Sequence, residues 1–306
     1  MSAPARTAVV HLVRHANGAA PFEAFICSYE AHPPGAEHDL VLLFKGFDGQ
    51  GQIRPYLERT TDHQPIRLEV PDTGLDLTAY VRAASLLDHE RACFLNSFSE
   101  ILARDWLGML QEAFAASEVG AAGATGSWAG HLSYNLFQLG LPGTYARAFA
   151  GRRAARVAMH EVSGTPQPRA APYWVFTLRE TLRHMRGAAR FPAAHLRTNA
   201  FLMDRERFLA LAGAATLTKW DTYRLESGPA SLTAQLCAAG TPPVVVDARG
   251  IAHAPADWHG ADVFFQAEQQ DLLVADNQTR SYASATRDQR AVLSAFAWGD
   301  KARPGT

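Results

Sequence analysis

The stretch ERACFLNSFSEILARDWLGML, residues 90–110, joins an apolar run to a cluster of small polar residues. Its apolar segment, residues 92–95, predicts a buried strand that ends at Asn96. The apolar spacing over residues 99–116 predicts an amphipathic helix after the polar cluster. A strand followed by a helix is the repeating unit of sheets with parallel strands. The polar cluster therefore marks the carboxyl end of a predicted strand.

The sequence before this stretch repeats the alternation of strand and helix. Apolar runs at residues 7–15 and 39–47 and the alternating segment IRLEV, residues 66–70, predict three further strands, and residues 21–32 and 76–88 predict helices between them. The run DLVLLFKGF, residues 39–47, is almost continuously apolar, which is typical of a strand buried on both faces. We therefore predict an α/β fold of three layers, with a mostly parallel central sheet and helices on both faces.

Composition divides the chain into three parts. Residues 1–130 carry the strand and helix pattern, residues 131–190 are rich in Ala and Arg, and residues 191–306 return to mixed elements. We predict that the middle part is a helical insertion within one continuous domain. Its basic side chains are either solvated helix faces or a docking surface for an anionic acceptor or a membrane headgroup layer. They are Arg147, Arg152, Arg153, Arg156, Arg179, Arg183, Arg186 and Arg190.

Composition also bears on the class of protein. The chain has 306 residues, 47% hydrophobic and 19% charged, with a formal net charge of -1. These values fit a globular protein with a full core and give no overall field that attracts nucleic acid. The three cysteines, Cys27, Cys93 and Cys237, are widely spaced among apolar residues, so we interpret them as buried thiols rather than disulfide partners or zinc ligands.

Two further absences concern the membrane. No apolar window approaches the roughly 18 to 20 residues of a membrane span. The N-terminal sequence MSAPARTAVVHLVRHANG lacks the apolar core of a signal peptide. We expect a cytoplasmic protein, with peripheral contact at the inner face of the membrane as an alternative.

Several motifs with established chemistry are absent. The sequence GAAGATG, residues 120–126, does not have the spacing of a dinucleotide-binding loop, and no phosphate loop of the G-x-x-x-x-G-K-[ST] form occurs. GSWAG, residues 126–130, is not the G-x-S-x-G nucleophile elbow. Candidate site residues must therefore come from other parts of the chain.

Polar clusters follow three of the predicted strands. Residues 72–76 follow the third strand, residues 96–100 follow the fourth, and residues 126–128 follow the next. Each cluster alone could be an ordinary polar turn. Because ligands of open α/β sheets bind at the carboxyl ends of the strands, three clusters in register favour a ligand site there.

The order of these segments carries a family resemblance. The segments are FEAFICSYEAHPPGAEHDLVLLFKGF, PDTGLDLTAY, CFLNSFSEIL with WLGML, GATGSW, HLRTNAFLMDRERF and TKWDTYRLESGPASLT. Over about residues 8–128 and 191–240, this order resembles a bacterial glycosyltransferase with the glycosyltransferase A fold. The resemblance implies transfer of a sugar from a nucleoside-diphosphate sugar to a hydroxyl of a glycan or lipid-linked acceptor, in the synthesis of a surface polysaccharide.

The resemblance also implies roles for the polar residues of the first half. Asp72 and Asp76 would contact the base or ribose of the donor, and Asn96, Ser97 and Ser99 would lie at its diphosphate. The alternative for the two aspartates is an Asx turn and a helix N-cap. The two serines could equally cap the helix that follows, and a helix N-terminus is itself a phosphate site.

The second half supplies the expected catalytic base. Glu226 resembles the base of inverting members, which takes the proton of the acceptor hydroxyl as its oxygen attacks the anomeric carbon. A salt-bridged loop with Lys219 and Asp221 is the alternative. The strand predicted over residues 195–203 should contact acceptor or phosphate, or else form a buried hydrogen-bond network. One face of that strand carries His195, Arg197 and Asn199.

One departure from the family pattern concerns the metal. Members typically end the fourth strand in Asp-x-Asp, which holds Mg²⁺ or Mn²⁺ against the diphosphate, but residues 96–99 here read Asn-Ser-Phe-Ser. The metal could be held by Asp276 and Glu100 instead. The enzyme could use Lys, Arg or helix N–H groups in place of a metal, or catalysis could be lost. An ordinary polar turn is the alternative for Asp276.

Two other functions stay open as alternatives. A nucleotidyltransferase shares the layered core, but RHANGAAP, residues 14–21, is a faint counterpart of the basic Gly-rich loop that such an enzyme needs. A non-catalytic nucleotide-sugar-binding protein would explain the missing Asp-x-Asp.

Overall fold

The computed structural model describes residues 6–139, 145, 178, 182, 187–213 and 218–305. Most of the Ala- and Arg-rich part lies outside these residues, as do all of the arginines named above except Arg190. The interpretation of those arginines therefore stays a prediction. Of the predicted helical insertion, the structure describes one helix at its start, the single helical positions Tyr145, Leu178 and Leu182, and residues 187–190, which are not helical.

The described residues contain twelve strands, most of them buried. They are β1 (Thr7–Arg14), β2 (Asp39–Lys45), β3 (Ile66–Val70), β4 (Arg91–Leu95), β5 (Glu100–Ile101), β6 (Ala122–Gly123), β7 (Gly126–Ser127), β8 (His195–Leu196), β9 (Ala200–Asp204), β10 (Val244–Val246), β11 (Ala252–His253) and β12 (Val274–Ala275). Eight of them form one sheet in the order β11-β10-β6-β9-β4-β1-β2-β3. The pairs β5 with β12 and β7 with β8 lie outside it.

The strand directions decide where functional side chains can meet. The neighbours β3, β2, β1 and β4 are parallel, so their last residues lie at one edge, which we call the carboxyl edge. The strand β9 runs antiparallel beside β4, with Ala200 opposite Leu95. The residues that precede β9 therefore reach the carboxyl edge from the second half of the chain.

Ten α-helices are described. They are α1 (Ala20–Ala31), α2 (Gln50–Arg59), α3 (Asp76–Leu86), α4 (Trp106–Phe114), α5 (His131–Gln138), α6 (Arg205–Ala212), α7 (Lys219–Ser227), α8 (Leu232–Ala238), α9 (Asn277–Ala283) and α10 (Arg287–Trp298). Within the described part of the chain, none of these helices has both the length and the apolar character needed to cross a membrane.

Helices cover both faces of the sheet. His11 of β1 stacks on Phe25 of α1, with ring centroids 3.6 Å apart. Phe94 of β4 packs on Tyr80 of α3 at 4.9 Å and on Phe208 of α6 at 4.8 Å. Because His11 lies opposite Leu95 in the register, and successive side chains alternate, Phe94 points to the other face. The predicted three-layer α/β architecture is confirmed.

One contiguous apolar core runs through the two halves of the chain. Its buried members extend from Ala8 of β1 to Trp298 at the end of α10, and Trp106, Trp258 and Trp298 are fully buried in it. A smaller cluster of Phe137, Tyr145, Val292 and Phe296 lies beside it. Burial of this much apolar surface is the main term that stabilises the fold, and it joins the two parts that supply the candidate site.

The prediction of a helix over residues 99–116 is wrong for the first residues of this segment. Glu100–Ile101 form β5, which pairs with β12 from the C-terminal part, and α4 begins only at Trp106. Ser97 and Ser99 therefore cap no helix, and no helix N-terminus follows the fourth strand directly. Local periodicity could not show this, because the partner strand lies far along the chain.

Two smaller predictions also need correction. Cys93 is buried, but Cys27 and Cys237 are exposed, because they lie on the outer faces of α1 and α8 rather than toward the core. The strand predicted over residues 195–203 is broken into β8 and β9 by a turn at residues 197–199.

Candidate functional site

A turn after β3 forms the first part of the candidate site. Lys45, which closes β2 and is 1% exposed, donates from Nζ to the carbonyl oxygen of Gly74 at 2.7 Å. The Asp72 carboxylate lies 3.3 Å from both this ammonium and the Arg14 guanidinium. Burial alone would raise the pKa of Asp72, but the hydrogen bond from Lys45 and the charge of Arg14 outweigh it and hold the pKa below its usual value.

This turn depends on two glycines. Gly74 has a φ of +68°, and a Cβ on it would lie 2.7 Å from Thr78 Cβ. Gly46 has a φ of +75°, and its Cβ would lie 2.9 Å from Asp72 Cβ. Because only glycine adopts such a conformation without strain, the close approach of the turn to the end of β2 is built into the sequence.

Asp76 is the first residue of α3 and is not the N-cap that one interpretation expected. The N-cap is Leu75, which makes no side-chain capping hydrogen bond. Burial raises the pKa of Asp76, Lys45 opposes this, and the negative charge of Glu226 raises it further. The carboxyl groups of Asp76 and Glu226, from the two halves of the chain, therefore interact electrostatically.

The loop after β4 is held by its own side chains. Asn96 Oδ1 accepts from the backbone N–H of Phe98 at 2.9 Å and from Ser99 Oγ at 3.2 Å. Ser99 is fully buried, and its hydroxyl also lies 2.8 Å from the Asn199 carbonyl oxygen, so its single proton is shared between these two acceptors. Ser97 accepts from Asn17 Nδ2 at 2.7 Å. Asn96, Ser97 and Ser99 do meet at the carboxyl edge, but Ser99 faces the interior.

The C-terminal part holds this loop from outside. Arg280 of α9 donates from Nη1 to the Phe98 carbonyl at 3.1 Å and pairs with Glu100 Oε1 at 2.7 Å. The pairing of β5 with β12 brings α9 to this position. Sequence reasoning missed Arg280 and Lys45, since single basic residues after apolar runs carry no distinctive local signal.

Glu226 lies in the last turn of α7, where a loop had been expected. The hydroxyl of Thr198 donates to Glu226 Oε1 at 2.8 Å. Burial raises the pKa of Glu226, opposed by this hydrogen bond and by the charge of Arg197. Asp221 closes a capping box with Thr218 at the start of α7, which is a structural role but not the predicted salt-bridged loop.

A buried polar network surrounds Arg197. Its Nη2 donates to Asp276 Oδ2 at 2.7 Å, and its Nη1 donates to Thr125 Oγ1 at 3.3 Å. Its guanidinium carbon lies 4.1 Å from the ring centroid of Phe264, a cation–π contact. Thr125 in turn donates to Asn199 Oδ1 at 2.5 Å. The side chains of Arg197 and Asn199 are thus linked through the hydroxyl of Thr125.

His195 completes the acceptor-side set that the sequence predicted. Its Nδ1 lies 2.7 Å from the carbonyl oxygen of Ala193, to which the ring donates in the matching tautomer. Burial lowers the pKa of His195 to about 4, with the charge of Arg197 acting in the same direction and the hydrogen bond to Ala193 against it. The imidazole is therefore neutral near pH 7.

A cavity of about 370 Å³ opens beside this network. Its polar and charged lining residues are Ser127, His131, His195, Arg197, Glu226, Ser227 and Gln278. Its aromatic lining residues are Tyr134, Tyr145, Tyr223, Phe264, Phe265 and Phe296. A cavity of this size and mixed lining is typical of a small-molecule site. Asn199, by contrast, is buried and is not among the residues that line the cavity.

The residues proposed for a metal are otherwise engaged. Asp276 Oδ1 accepts from the backbone N–H groups of Gln278 and Thr279 at 3.0 and 2.9 Å and caps α9, while Oδ2 binds Arg197. Glu100 pairs with Arg280. In the described part of the chain, no three His, Cys, Asp or Glu side chains are grouped as metal ligands. These side chains do not by themselves fit Mg²⁺ or Mn²⁺.

No protein-family model matches the sequence, and a search of curated proteins finds no significant match. Solved structures do match. The mannosyltransferase PcManGT from Pyrobaculum calidifontis, in complex with GDP-Man and Mn²⁺, is 13% identical with a TM-score of 0.43, over 86% of this chain and 61% of that one. GalNAc-T7 with UDP, GalNAc and Mn²⁺ is 16% identical with a TM-score of 0.31, over 39% of this chain and 22% of that one.

A further match is S. aureus TarS, 11% identical with a TM-score of 0.31, over 38% of this chain and 34% of that one. The chain thus spans less than two thirds of the length of each of these three structures. At these identities and TM-scores the likeness is weak.

Proposed function

We propose that this chain is a glycosyltransferase that moves a sugar from a nucleoside-diphosphate sugar to an acceptor hydroxyl, with Glu226 as the general base. The placement of Glu226 carries the proposal. Its carboxylate is oriented by Thr198 at 2.8 Å, lines the cavity of about 370 Å³, and interacts with Asp76 at the carboxyl edge. A candidate base therefore stands between the edge where the donor would bind and a cavity for the acceptor.

The environment of Glu226 suits general-base catalysis. Burial raises the pKa of its carboxyl group, which makes the carboxylate a stronger base than an exposed one. Thr198 occupies Oε1, and no donor from the described residues contacts Oε2. One oxygen atom is thus held in place while the other is available for the proton of an acceptor hydroxyl.

The carboxyl edge supplies groups suited to a nucleotide. The partly exposed carboxylates of Asp72 and Asp76 can accept hydrogen bonds from a ribose or a base. Lys45 and Arg14 lie beside Asp72. Asn96 presents a neutral side chain where a diphosphate would lie, which adds no charge repulsion.

In the proposed reaction, Glu226 takes the proton from the acceptor O–H group. The acceptor oxygen forms a bond to the anomeric carbon of the donor. The bond from that carbon to the diphosphate oxygen breaks, and the nucleoside diphosphate leaves with the electron pair. Attack from the side opposite the leaving group inverts the anomeric centre. Assembly of a surface polysaccharide on a glycan or lipid-linked acceptor is the setting that the sequence resemblance supports.

Calorimetry and a transfer assay on the full chain test this proposal. UDP, GDP and dTDP sugars are titrated with and without Mn²⁺, and donor turnover is then measured for the wild type, Glu226→Gln and the exposed control Glu118→Gln. We expect Glu226→Gln to lose about 10²- to 10⁴-fold in transfer, the usual contribution of a general base, while its donor affinity stays near wild type. Normal turnover in Glu226→Gln would contradict the proposed mechanism. A failure to bind any of the donors would contradict the proposed function.

The nucleotidyltransferase alternative gains no specific support. In the segment that would form its basic loop, Asn17 donates to Ser97 and Arg14 pairs with Asp72. Both side chains are therefore bound to residues at the carboxyl edge. The same calorimetry, with nucleoside triphosphates added to the panel, separates the two enzyme classes. Donor binding without any turnover would indicate a non-catalytic binding protein.

A further inference from the structure

We propose that the cavity of about 370 Å³ binds one sugar ring of the acceptor, so that this protein recognises a carbohydrate terminus and not a bare lipid phosphate. This inference rests on the proposed transferase function. The sequence left a glycan and a lipid-linked acceptor open, and the lining of the cavity favours one of them.

Two aromatic groups form much of the cavity wall. Tyr134 and Tyr145 pack on Phe296, with ring centroids 5.3 and 4.7 Å away. Phe264 and Phe265 stack at 4.0 Å with their planes 17° apart. Phe264 is buried, whereas Phe265 and Tyr134 are partly exposed. The cavity therefore offers flat apolar surface on more than one side.

Charged and polar groups share the same cavity. Glu226, Arg197 and His195 line it from the α7 and β8 side, and Ser127 and Gln278 add further hydrogen-bonding groups. The Arg197 guanidinium lies directly against the Phe264 ring, so aromatic and polar surface are adjacent. An occupant must offer hydrogen bonds and apolar faces within a short distance.

This combination disfavours a lipid chain. An isoprenoid chain seated here would displace water from Glu226 and Arg197 without replacing its hydrogen bonds, and the uncompensated burial of polar groups is costly. A pyranose ring has apolar C–H faces and a rim of hydroxyls. Its faces can lie on the aromatic side chains while its hydroxyls bond to the polar ones.

The volume suits one sugar ring. About 370 Å³ lies at the lower end of the range of small-molecule sites. We infer that a single ring enters, with one hydroxyl directed at Glu226 Oε2 and the rest of the acceptor outside.

Binding to the full chain is measured by saturation-transfer NMR and calorimetry, with methyl hexosides and short oligosaccharides as sugar probes and farnesyl phosphate as the bare lipid probe. We expect one or more glycosides to bind and farnesyl phosphate not to compete with them. This comparison uses only the wild-type protein and no donor. Its result therefore does not depend on whether sugar transfer is observed.

Variants of Tyr223 test the same inference. Tyr223 lines the cavity, and its ring centroid lies 4.7 Å from that of His131. We expect Tyr223→Ala to weaken glycoside binding about tenfold, which corresponds to about 1.4 kcal/mol for an aromatic contact. Tyr223→Phe, which keeps the aromatic ring, should retain more of the glycoside affinity than Tyr223→Ala, and the surface control Leu86→Ala should bind glycosides as the wild type does. Donor affinity should be equal in all four proteins.

Two results would overturn the inference. One is binding of farnesyl phosphate in the cavity with no binding of any glycoside. The other is wild-type glycoside affinity in a folded Tyr223→Ala. If nucleotide sugars bind and turn over in either case, only the acceptor class is wrong. If no nucleotide sugar binds, the proposed function itself fails.

Discussion

Arg197 and Asp276 form a buried ion pair, with Nη2 2.7 Å from Oδ2, that joins the turn between β8 and β9 to the start of α9. Asp276 is 1% exposed and also caps α9. Burial alone would raise the pKa of Asp276, but the charge of Arg197 and the helix N–H groups outweigh it and keep the pKa below its usual value. The pair therefore ties the wall of the cavity to the segment that holds the loop after β4.

Replacement of Asp276 should therefore be costly. Asp276→Asn keeps the helix cap but leaves the Arg197 charge buried without its partner, and we expect a loss of about 3–5 kcal/mol in the free energy of unfolding. Urea denaturation measures this, with the exposed Asp48→Asn as control. The stability that ionised Asp276 contributes is present above its unfolded pKa of about 3.9 and is lost as pH falls through its lower folded pKa. Equal unfolding midpoints for wild type and Asp276→Asn would contradict the role of the pair.

The hydrogen bond from Thr198 should set the pH dependence of transfer. Thr198→Val removes a donor that stabilises ionised Glu226, so the pKa of Glu226 should rise further. The base must be deprotonated to act, and the acid limb of the kcat/KM profile should therefore move to higher pH. Thr198→Ser keeps the hydroxyl and should retain the wild-type profile. An unchanged pH profile of kcat/KM in Thr198→Val would show that Thr198 does not influence the catalytic base.

Lys45 should matter for donor affinity more than for turnover. Lys45→Met removes the 2.7 Å hydrogen bond to Gly74 and one partner of Asp72, so the turn after β3 loses its anchor. We expect a cost of about 1–3 kcal/mol for the unsatisfied carbonyl and a clear rise in the KM for the donor. In Arg14→Met, which breaks only a partly exposed pair, the loss of stability should stay within about 1 kcal/mol. An unchanged donor KM in Lys45→Met would exclude the turn from the donor site.

His11 should make the fold sensitive to acid. Its ring is fully buried, neither ring nitrogen has a partner among the described residues, and burial lowers its pKa to about 3. The unfolded chain takes up a proton below about pH 6.5 that the folded chain does not, so each further pH unit costs about 1.4 kcal/mol of stability.

His11→Phe retains the stack on Phe25 without a titrating group. Between pH 7 and pH 5 it should lose about 2 kcal/mol less stability than the wild type. Urea midpoints at the two pH values measure this, with the exposed His15→Gln as control. A parallel loss in wild type and His11→Phe would show that other groups cause the acid sensitivity.

The apolar runs and the alternation of residues 66–70 were sufficient to predict the first four strands and α3. The strands β1, β2 and β4 are almost wholly buried, so their sequences have to be apolar over a length that matches the strand, whereas the edge strand β3 is only partly buried and alternates. The polar residues that end them, including Asp72 and Asn96, do lie at the carboxyl edge. Whether they bind a donor stays a prediction.

The start of the helix after β4 could not be predicted in the same way. Residues 99–105 have apolar spacing compatible with a helix, yet Glu100 and Ile101 pair with Ala275 and Val274. This pairing satisfies backbone groups that a helix would otherwise satisfy, and it depends on a strand in another part of the chain. The same pairing places Arg280 against Phe98.

The sequence by itself thus determined the α/β layering and the edge where polar side chains gather, because burial imposes a local pattern on each element. Only the tertiary structure decided which side chains meet. Arg197 and Asp276 are 79 residues apart, Asn17 and Ser97 are 80 apart, and Thr198 and Glu226 are 28 apart. The contacts of Arg197 and Thr198 follow from the antiparallel insertion of β9 beside β4, and the contact of Asn17 with Ser97 follows from the parallel pairing of β1 with β4; no local pattern contains either pairing. Hence Glu226 could be named from the sequence, but its hydrogen bond, its raised pKa and its cavity could not.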